Sequence, residues 1–283
     1  MIELTRISEW RAFANDERAG GRRIGLVPTM GALHGGHASL FRAARESCDV
    51  VLATVFVNPR QFGDENDLAH YPRTLDADRE IAQHAGVDCL VVPTLEEMWP
   101  DYPRCTPTAV SVRGIGEVLE GAGRPGHFDG VASVVTKLFT VTGPCRAFFG
   151  EKDFQQLAVV RQLVHDLDFD VDVVGCPIVR DPDGLALSSR NARLSPEGRR
   201  RALGLSRALG YVATTSARAS TLRSTMRTIL DDSGVEVAYA DVVDPRTLES
   251  AGDGEVGERR ALIAGFVDGV RLIDTGPVTV VSN

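Results

Sequence analysis

Two histidines three residues apart, His34 and His37, close the segment PTMGALHGGH at 28–37, with only glycines between them. The segment joins a strand-like run at 23–28 to a helix-like run at 36–46. In an open parallel sheet, the carboxyl end of such a strand is where ligands bind. Paired glycines let the backbone approach a ligand closely, and the N–H groups of a helix start favour anions. Two imidazoles at this spacing can face one phosphate. A zinc reading fits less well, because a metalloprotease helix spaces its histidines by four with a glutamate between them. A purely structural turn is the plain alternative.

The segment FFGEKDFQQ at 148–156 repeats the arrangement: a strand ends at Gly150 and a helix follows, with Lys152, Asp153 and Gln156 at its start. A cation at the positive end of a helix is disfavoured by a few tenths of a kcal/mol, roughly. A local rule broken at the edge of a sheet often marks function. Pairing of Lys152 with Glu151 or Asp153 is the other reading. In LSSRN (187–191), Ser188, Ser189 and Arg190 could clamp an oxyanion, since arginine matches phosphate oxygens in a bidentate manner; a polar surface loop is the alternative. Asn58 and Gln61 in NPRQFG (58–63) carry amides that could hydrogen-bond a substrate hydroxyl, a loop without a role being the alternative, and Arg124 in GAGRPGHF (121–128) could meet a carboxylate or decorate a connection.

These groups need a scaffold, and the chain supplies the pattern of one. Strand-like runs at 23–28, 50–57, 87–92, 146–149 and 171–174 alternate with helical ones at 36–46, 76–85, 130–142 and 154–166. The alternation predicts an α/β fold with a doubly wound parallel sheet and right-handed crossovers over residues 1–178. Beyond a DPDG turn at 181–184 the texture changes. Ser195-Pro196 opens a helix running to about 217, a second helix covers 220–231, and strands at 235–243, 261–266 and 271–273 follow. Residues 179–283 therefore read as a smaller α+β domain.

Composition bounds what such a protein can do. Of 283 residues 43% are apolar and 25% charged, the balance of a soluble globular chain. The net charge of −8 argues against a general nucleic-acid surface. No apolar run approaches the roughly 20 residues that span a bilayer, and the N-terminus lacks a signal-like stretch, so no membrane and a cytoplasmic location are expected. Cys48, Cys89, Cys105, Cys145 and Cys176 are scattered without a CxxC pair, so neither a disulfide framework nor a structural metal site is expected.

Taken together and in order, PTMGALHxGH, FVNPxQF, YPRTLDxD, RPxHFxGV, FFGEKDxQQL and LSSRN resemble the pantothenate synthetase family, of the nucleotidyltransferase-like group. The resemblance covers the N-terminal two-thirds. It implies a Rossmann-like domain, a C-terminal lid over the site, a homodimer, and the condensation of pantoate with β-alanine through a pantoyl adenylate, ATP yielding AMP and pyrophosphate. Carried onto this chain, it implies that His34 and His37 contact the ATP phosphates and that Lys152, Ser188, Ser189 and Arg190 clamp them from the other side. Gln61 and Gln156 would hold pantoate with Met30 packed beside it, and Asn58 would help place the second substrate. Gly150 and Asp153 would lie against the ribose, and Arg124 would contribute to substrate binding. Mg²⁺ would ride on the phosphates without a protein cage. Three positions depart from the family pattern: Gly35 replaces a common glutamate, Leu187 a methionine and Phe154 a tyrosine. A flap at 63–76 is a further expectation. The rivals are an enzyme transferring a whole nucleotide, which would lack the paired glutamines, and a nucleotide sensor without catalysis.

Overall fold

The computed structural model describes residues 1–63, 68–104 and 108–282. Its sheet is built on strands whose side chains are buried on both faces, which is why they read as continuous apolar runs. In β2 (Ile24–Thr29), Ile24 and Leu26 enter one core cluster and Val27 the other; in β3 (Val50–Val55), Leu52 faces the first, and Val51 and Ala53 the second. With β1 (Ile2–Leu4), β4 (Cys89–Val91), β5 (Cys145–Gly150) and β6 (Val171–Cys176) they make a parallel sheet of order β1-β4-β3-β2-β5-β6.

Helices cover both faces. On one, α1 (Ile7–Ala19) supplies Trp10 and Ala14, α4 (His127–Thr142) supplies Phe128, Val131 and Leu138, and α5 (Phe154–Asp166) supplies Leu157 and Val160. On the other, α2 (Gly35–Ser47) supplies Leu40, Phe41 and Ala44, and α3 (Leu75–His84) supplies Ala82. The strand order reverses between β2 and β5, so a crevice must open above their carboxyl ends. That is where the loops after Thr29 and Gly150 emerge.

The C-terminal unit has its own core. Helices α6 (Pro196–Ala213) and α7 (Ala219–Asp232) lay Leu205, Leu209, Leu222 and Met226 onto an antiparallel sheet β7-β8-β9 (Glu236–Val243, Gly257–Val267, Val270–Val280). Phe154 and Ala158 pack with Val243, Leu248 and Leu262 along the seam between the units. Among the described residues, ion pairs crossing it include Arg260 to Glu151 at 3.1 Å and Arg271 to Glu120 at 2.6 Å.

Most elements fall within a few residues of their predicted places, but not all: strand β8 begins at Gly257, four residues before the predicted 261. The edge strand β1 and helix α1 were not anticipated. Strand β9 runs eleven residues rather than three, since Pro277 sits on a sheet edge where its missing N–H costs nothing. Helix α4 begins three residues before the predicted 130, after Gly126 in the left-handed conformation. Helix α6 ends at Ala213, four residues short of the predicted 217.

Candidate active site

The crevice holds a cavity of about 220 Å³ whose walls include Met30, His34, His37, Asn58, Gln61, Gly150, Lys152, Asp153, Gln156, Ser188, Ser189 and Arg190. Motifs separated by up to 160 residues thus converge on one space. Arg124 does not reach it. This guanidinium lines an adjoining cavity of about 500 Å³, which meets the first at Lys152, Asp153, Ser188 and Arg190.

The histidine turn is held by reciprocal capping. His34 is the N-cap of α2, and its Nδ1 accepts the Gly36 N–H at 3.1 Å. The His34 N–H donates in turn to Nδ1 of His37 at 3.2 Å. A neutral imidazole whose Nδ1 accepts must carry its proton on Nε2. Both rings therefore offer one N–H each, with centroids 4.2 Å apart at the cavity wall. Burial keeps them neutral: it lowers His34, helped by the Lys152 charge, and pushes His37 down to about 3, with His34 and Lys152 adding to the effect. Gly36 is required because a Cβ there would stand 2.9 Å from Cε1 of His34. The His37 N–H also turns to the His34 side chain, so the two histidines cap each other at the start of the helix.

Across the cavity, Lys152 sits on a 3₁₀ turn between β5 and α5 (Glu151–Asp153). Its Nζ is 3.7 Å from Asp153 Oδ1, beyond hydrogen-bond reach, and Glu151 is engaged by Arg260 instead. The local pairing that would have explained this lysine away is thus weak. Gly150 borders the space, and a Cβ there would meet nothing within 4 Å, so any larger residue would project into room left for a ligand. Ser188 caps the turn Ser189–Arg193 by accepting the Arg190 N–H at 3.3 Å. That arm is tied to the C-terminal sheet, where Arg180 binds Asp274 of β9 through both carboxylate oxygens, at 2.6 and 2.9 Å.

The amide wall divides by role. Asn58 is 1% exposed and saturated: its Nδ2 donates to Gln61 Oε1 and Gly130 O, while its Oδ1 accepts from Trp99 Nε1 and the Arg60 N–H. It has no hydrogen bond left for a substrate, and its work is to orient Gln61. The Nε2 of Gln61 rests on Met30 Sδ at 3.1 Å, a weak acceptor that a ligand oxygen can replace. Gln156 has no hydrogen-bond partner among the described residues and faces the same cavity. Its neighbour Gln155 is structural, with its Nε2 on the Ile115 and Val118 carbonyls.

Three residues escaped the sequence reading. His127 donates from Nδ1 to the Gln61 carbonyl at 2.8 Å and accepts from Arg124 at 3.1 Å; burial and the Arg124 charge push it down to about 4. Its presence in the RPGHF stretch was the available signal. Tyr71 lines the cavity, and Asp78 supports the histidine turn from outside it. The flap expected at 63–76 falls partly on residues 64–67, which lie outside the described residues, as does Cys105. The four described cysteines are free thiols, and burial pushes Cys89 and Cys145 up to about 12.

Neutral burial of His37 and His127 has a consequence for stability. Unfolded, each takes a proton near pH 6.5; folded, each resists until about 3 and 4 respectively. The unfolded state therefore binds more protons between these limits, and stability falls as pH drops below 6.5. Between pH 6.5 and 5, above the carboxylate range, urea unfolding should lose up to about 1.4 kcal/mol per pH unit for each site. A flat stability profile over that interval would contradict the neutral assignment.

Among the described residues, no group of three or more His, Cys, Asp or Glu could hold a metal ion, and no helix is long and apolar enough to cross a membrane. Comparison with known proteins gives a consistent result. Residues 3–276 match the family model described as pantoate-beta-alanine ligase. The chain is 50% identical over 278 residues to a pantothenate synthetase of Paracoccus denitrificans, covering 96% of each chain. It is 50% identical over 288 residues to one of Cereibacter sphaeroides, covering 97% of this chain and 99% of the other. Among solved structures, pantothenate synthetase from Thermus thermophilus superposes with a TM-score of 0.90 at 45% identity, over 98% of this chain and 99% of that one. A pantoate-beta-alanine ligase from Francisella tularensis, complexed with beta-gamma ATP and beta-alanine, gives a TM-score of 0.81 at 33% identity, over 98% and 97%.

Proposed function

Since the chain belongs to the pantoate–β-alanine ligase family, it is a ligase joining pantoate to β-alanine with ATP, and we propose that it works through a pantoyl adenylate. The pantoate carboxylate attacks the α-phosphorus of ATP and pyrophosphate leaves. The β-alanine amine then attacks the acyl carbon, forming the amide and releasing AMP. No protein nucleophile takes part, so catalysis rests on positioning and on neutralising charge.

One observation carries the reading: two neutral imidazoles with Nε2–H donors and the Lys152 ammonium border the same space, which Gln61 and Gln156 also enter. The imidazole N–H groups and Lys152, with Ser188, Ser189 and Arg190, suit the triphosphate and the charge that builds on the α-phosphate. The glutamines suit the hydroxyl and carboxylate of pantoate. Gly150 and Asp153 would border the ribose. Mg²⁺ would arrive on the nucleotide as part of the substrate, since the cavity offers Asp153 as its carboxylate and no protein cage. The C-terminal unit would close as a lid that keeps water from the acyl adenylate. A boundary near residue 178, a homodimer and a cytoplasmic location belong to the same proposal.

A coupled assay tests it. AMP release should require both pantoate and β-alanine, whereas pyrophosphate release in a single turnover should need pantoate and ATP alone. Pyrophosphate appearing only when β-alanine is present would reject the two-step order. Gln61→Ala should raise the KM for pantoate by about 10-fold or more with a smaller change in kcat, as expected when binding is lost in ground and transition states alike. An unchanged pantoate KM would remove Gln61 from the pantoate site.

A further inference from the structure

We propose that Asp78 is a positioning residue that fixes where the His34 and His37 imidazoles stand. It closes the YPRTLDAD stretch, lies on α3 rather than on the histidine loop, and does not line the cavity. Its carboxylate is 1% exposed. Oδ2 accepts the Ala32 N–H at 3.1 Å, and Oδ1 accepts the Leu33 N–H at 2.8 Å and the Thr74 hydroxyl at 3.1 Å.

The turn it holds is one the chain would not keep unaided. Gly31 has φ 80°, and Ala32, which carries a Cβ, has φ 49° in the left-handed region. A Cβ on Gly31 would stand 2.9 Å from Asp78 Oδ2, so the glycine is what lets the carboxylate come so close. Each N–H from residue 31 to 34 then has an acceptor: Thr29 Oγ1 for Gly31, Asp78 for Ala32 and Leu33, and His37 Nδ1 for His34. Asp78 supplies two of the four. Without it, the backbone entering His34 is free to leave the left-handed turn, and the reciprocal capping of the two imidazoles loses its fixed end. The residue acts through the histidines and touches no reacting atom.

The activity readout rests on the ligase mechanism proposed above; the spectroscopic one does not. Asp78→Asn keeps the shape but turns an NH₂ toward one of the two turn N–H groups. Adenylate formation should then slow by about 100-fold, the usual effect of an ångström-scale misplacement. The KM for pantoate should stay within about twofold, because the amide wall is untouched. Adding Ala32→Gly should recover roughly fivefold or more, since glycine holds φ near +50° without support. Thr74→Val, which spares both turn contacts, should stay near the parent. In ¹⁵N spectra the His34 and His37 ring signals should move in Asp78→Asn while those of His127 stay.

A loss of rate with unmoved His34 and His37 signals and no gain from Ala32→Gly would overturn the proposal, as would a parental rate. If the asparagine variant does not fold, Asp78→Glu, which keeps both oxygens but displaces them by a methylene, should give the same split of rate and KM; a parental rate there would also overturn it. Should the parent release no pyrophosphate from ATP and pantoate, the mechanism fails, and the ring signals still decide the role of Asp78.

Discussion

Replacing His34 by asparagine is expected to leave the fold as stable as the parent while slowing adenylate formation by about 100- to 1,000-fold. The two halves of this expectation come from the two nitrogens of one ring. Nδ1 caps α2 through the Gly36 N–H, a task that the side-chain oxygen of asparagine performs equally well at an N-cap. Nε2 carries the only N–H of the neutral ring, and the shorter asparagine cannot carry a donor to the same place. His34→Ala removes both functions and should cost about 1 kcal/mol of stability in addition. Single-turnover pyrophosphate release and thermal unfolding of the two variants separate the roles. If asparagine supports near-parental turnover, His34 is only a cap, the plain structural reading of the HxxH turn prevails, and the phosphate-facing role falls.

That structural reading was open in the sequence for a physical reason. Spacing and glycine content place two imidazoles at a helix start, but which nitrogen is engaged depends on backbone N–H groups that only the folded turn positions. The same limit explains the residues that were missed. Asp78 meets the Ala32 and Leu33 N–H groups 46 and 45 residues away, and His127 meets the Gln61 carbonyl 66 residues away; no local pattern encodes either pairing. Asn58 shows the opposite failure. Its type and position suggested a ligand contact, and only its four hydrogen bonds reveal that the amide is used up inside the protein. The central strands were legible because burial on both faces demands unbroken apolar runs. Strand β1, three residues pairing with β4, owes its existence to a neighbour 87 residues on and left no periodic trace.

Of the departures from the family pattern, Gly35 and Leu187 face each other. A Cβ on Gly35 would stand 3.2 Å from Leu187 Cδ1, tighter than an ordinary contact, so the branched leucine fills space that a side chain at 35 would need. The two departures therefore form a unit. Leu187 immediately precedes Ser188, so the pair lies where the histidine turn faces the opposite wall. Phe154 is likewise engaged, with the Arg260 guanidinium 4.3 Å over its ring at the seam. A tyrosine hydroxyl is not needed for that contact.

The second large effect is expected from Lys152→Met, which should slow adenylate formation by about 1,000-fold, roughly 4 kcal/mol of transition-state stabilisation. Methionine keeps the length and apolar stem of lysine and removes the charge, so the loss measures the ammonium rather than the packing. The lysine also acts on the facing wall, where its charge helps burial hold His34 and His37 neutral. Without it, both rings should take up protons at higher pH than in the parent, a change that ¹⁵N titration of the imidazoles reads directly. Lys152→Arg should recover only part of the rate, since the planar fork delivers its charge over a wider area. Under the proposed mechanism His34 and Lys152 serve one developing charge from opposite sides, so their losses should not add: the double variant should be slowed by clearly less than the product of the single effects. A strictly multiplicative cycle would mean that the two walls act on different steps. The cavity would then be two sites that share a border, and not one phosphate clamp.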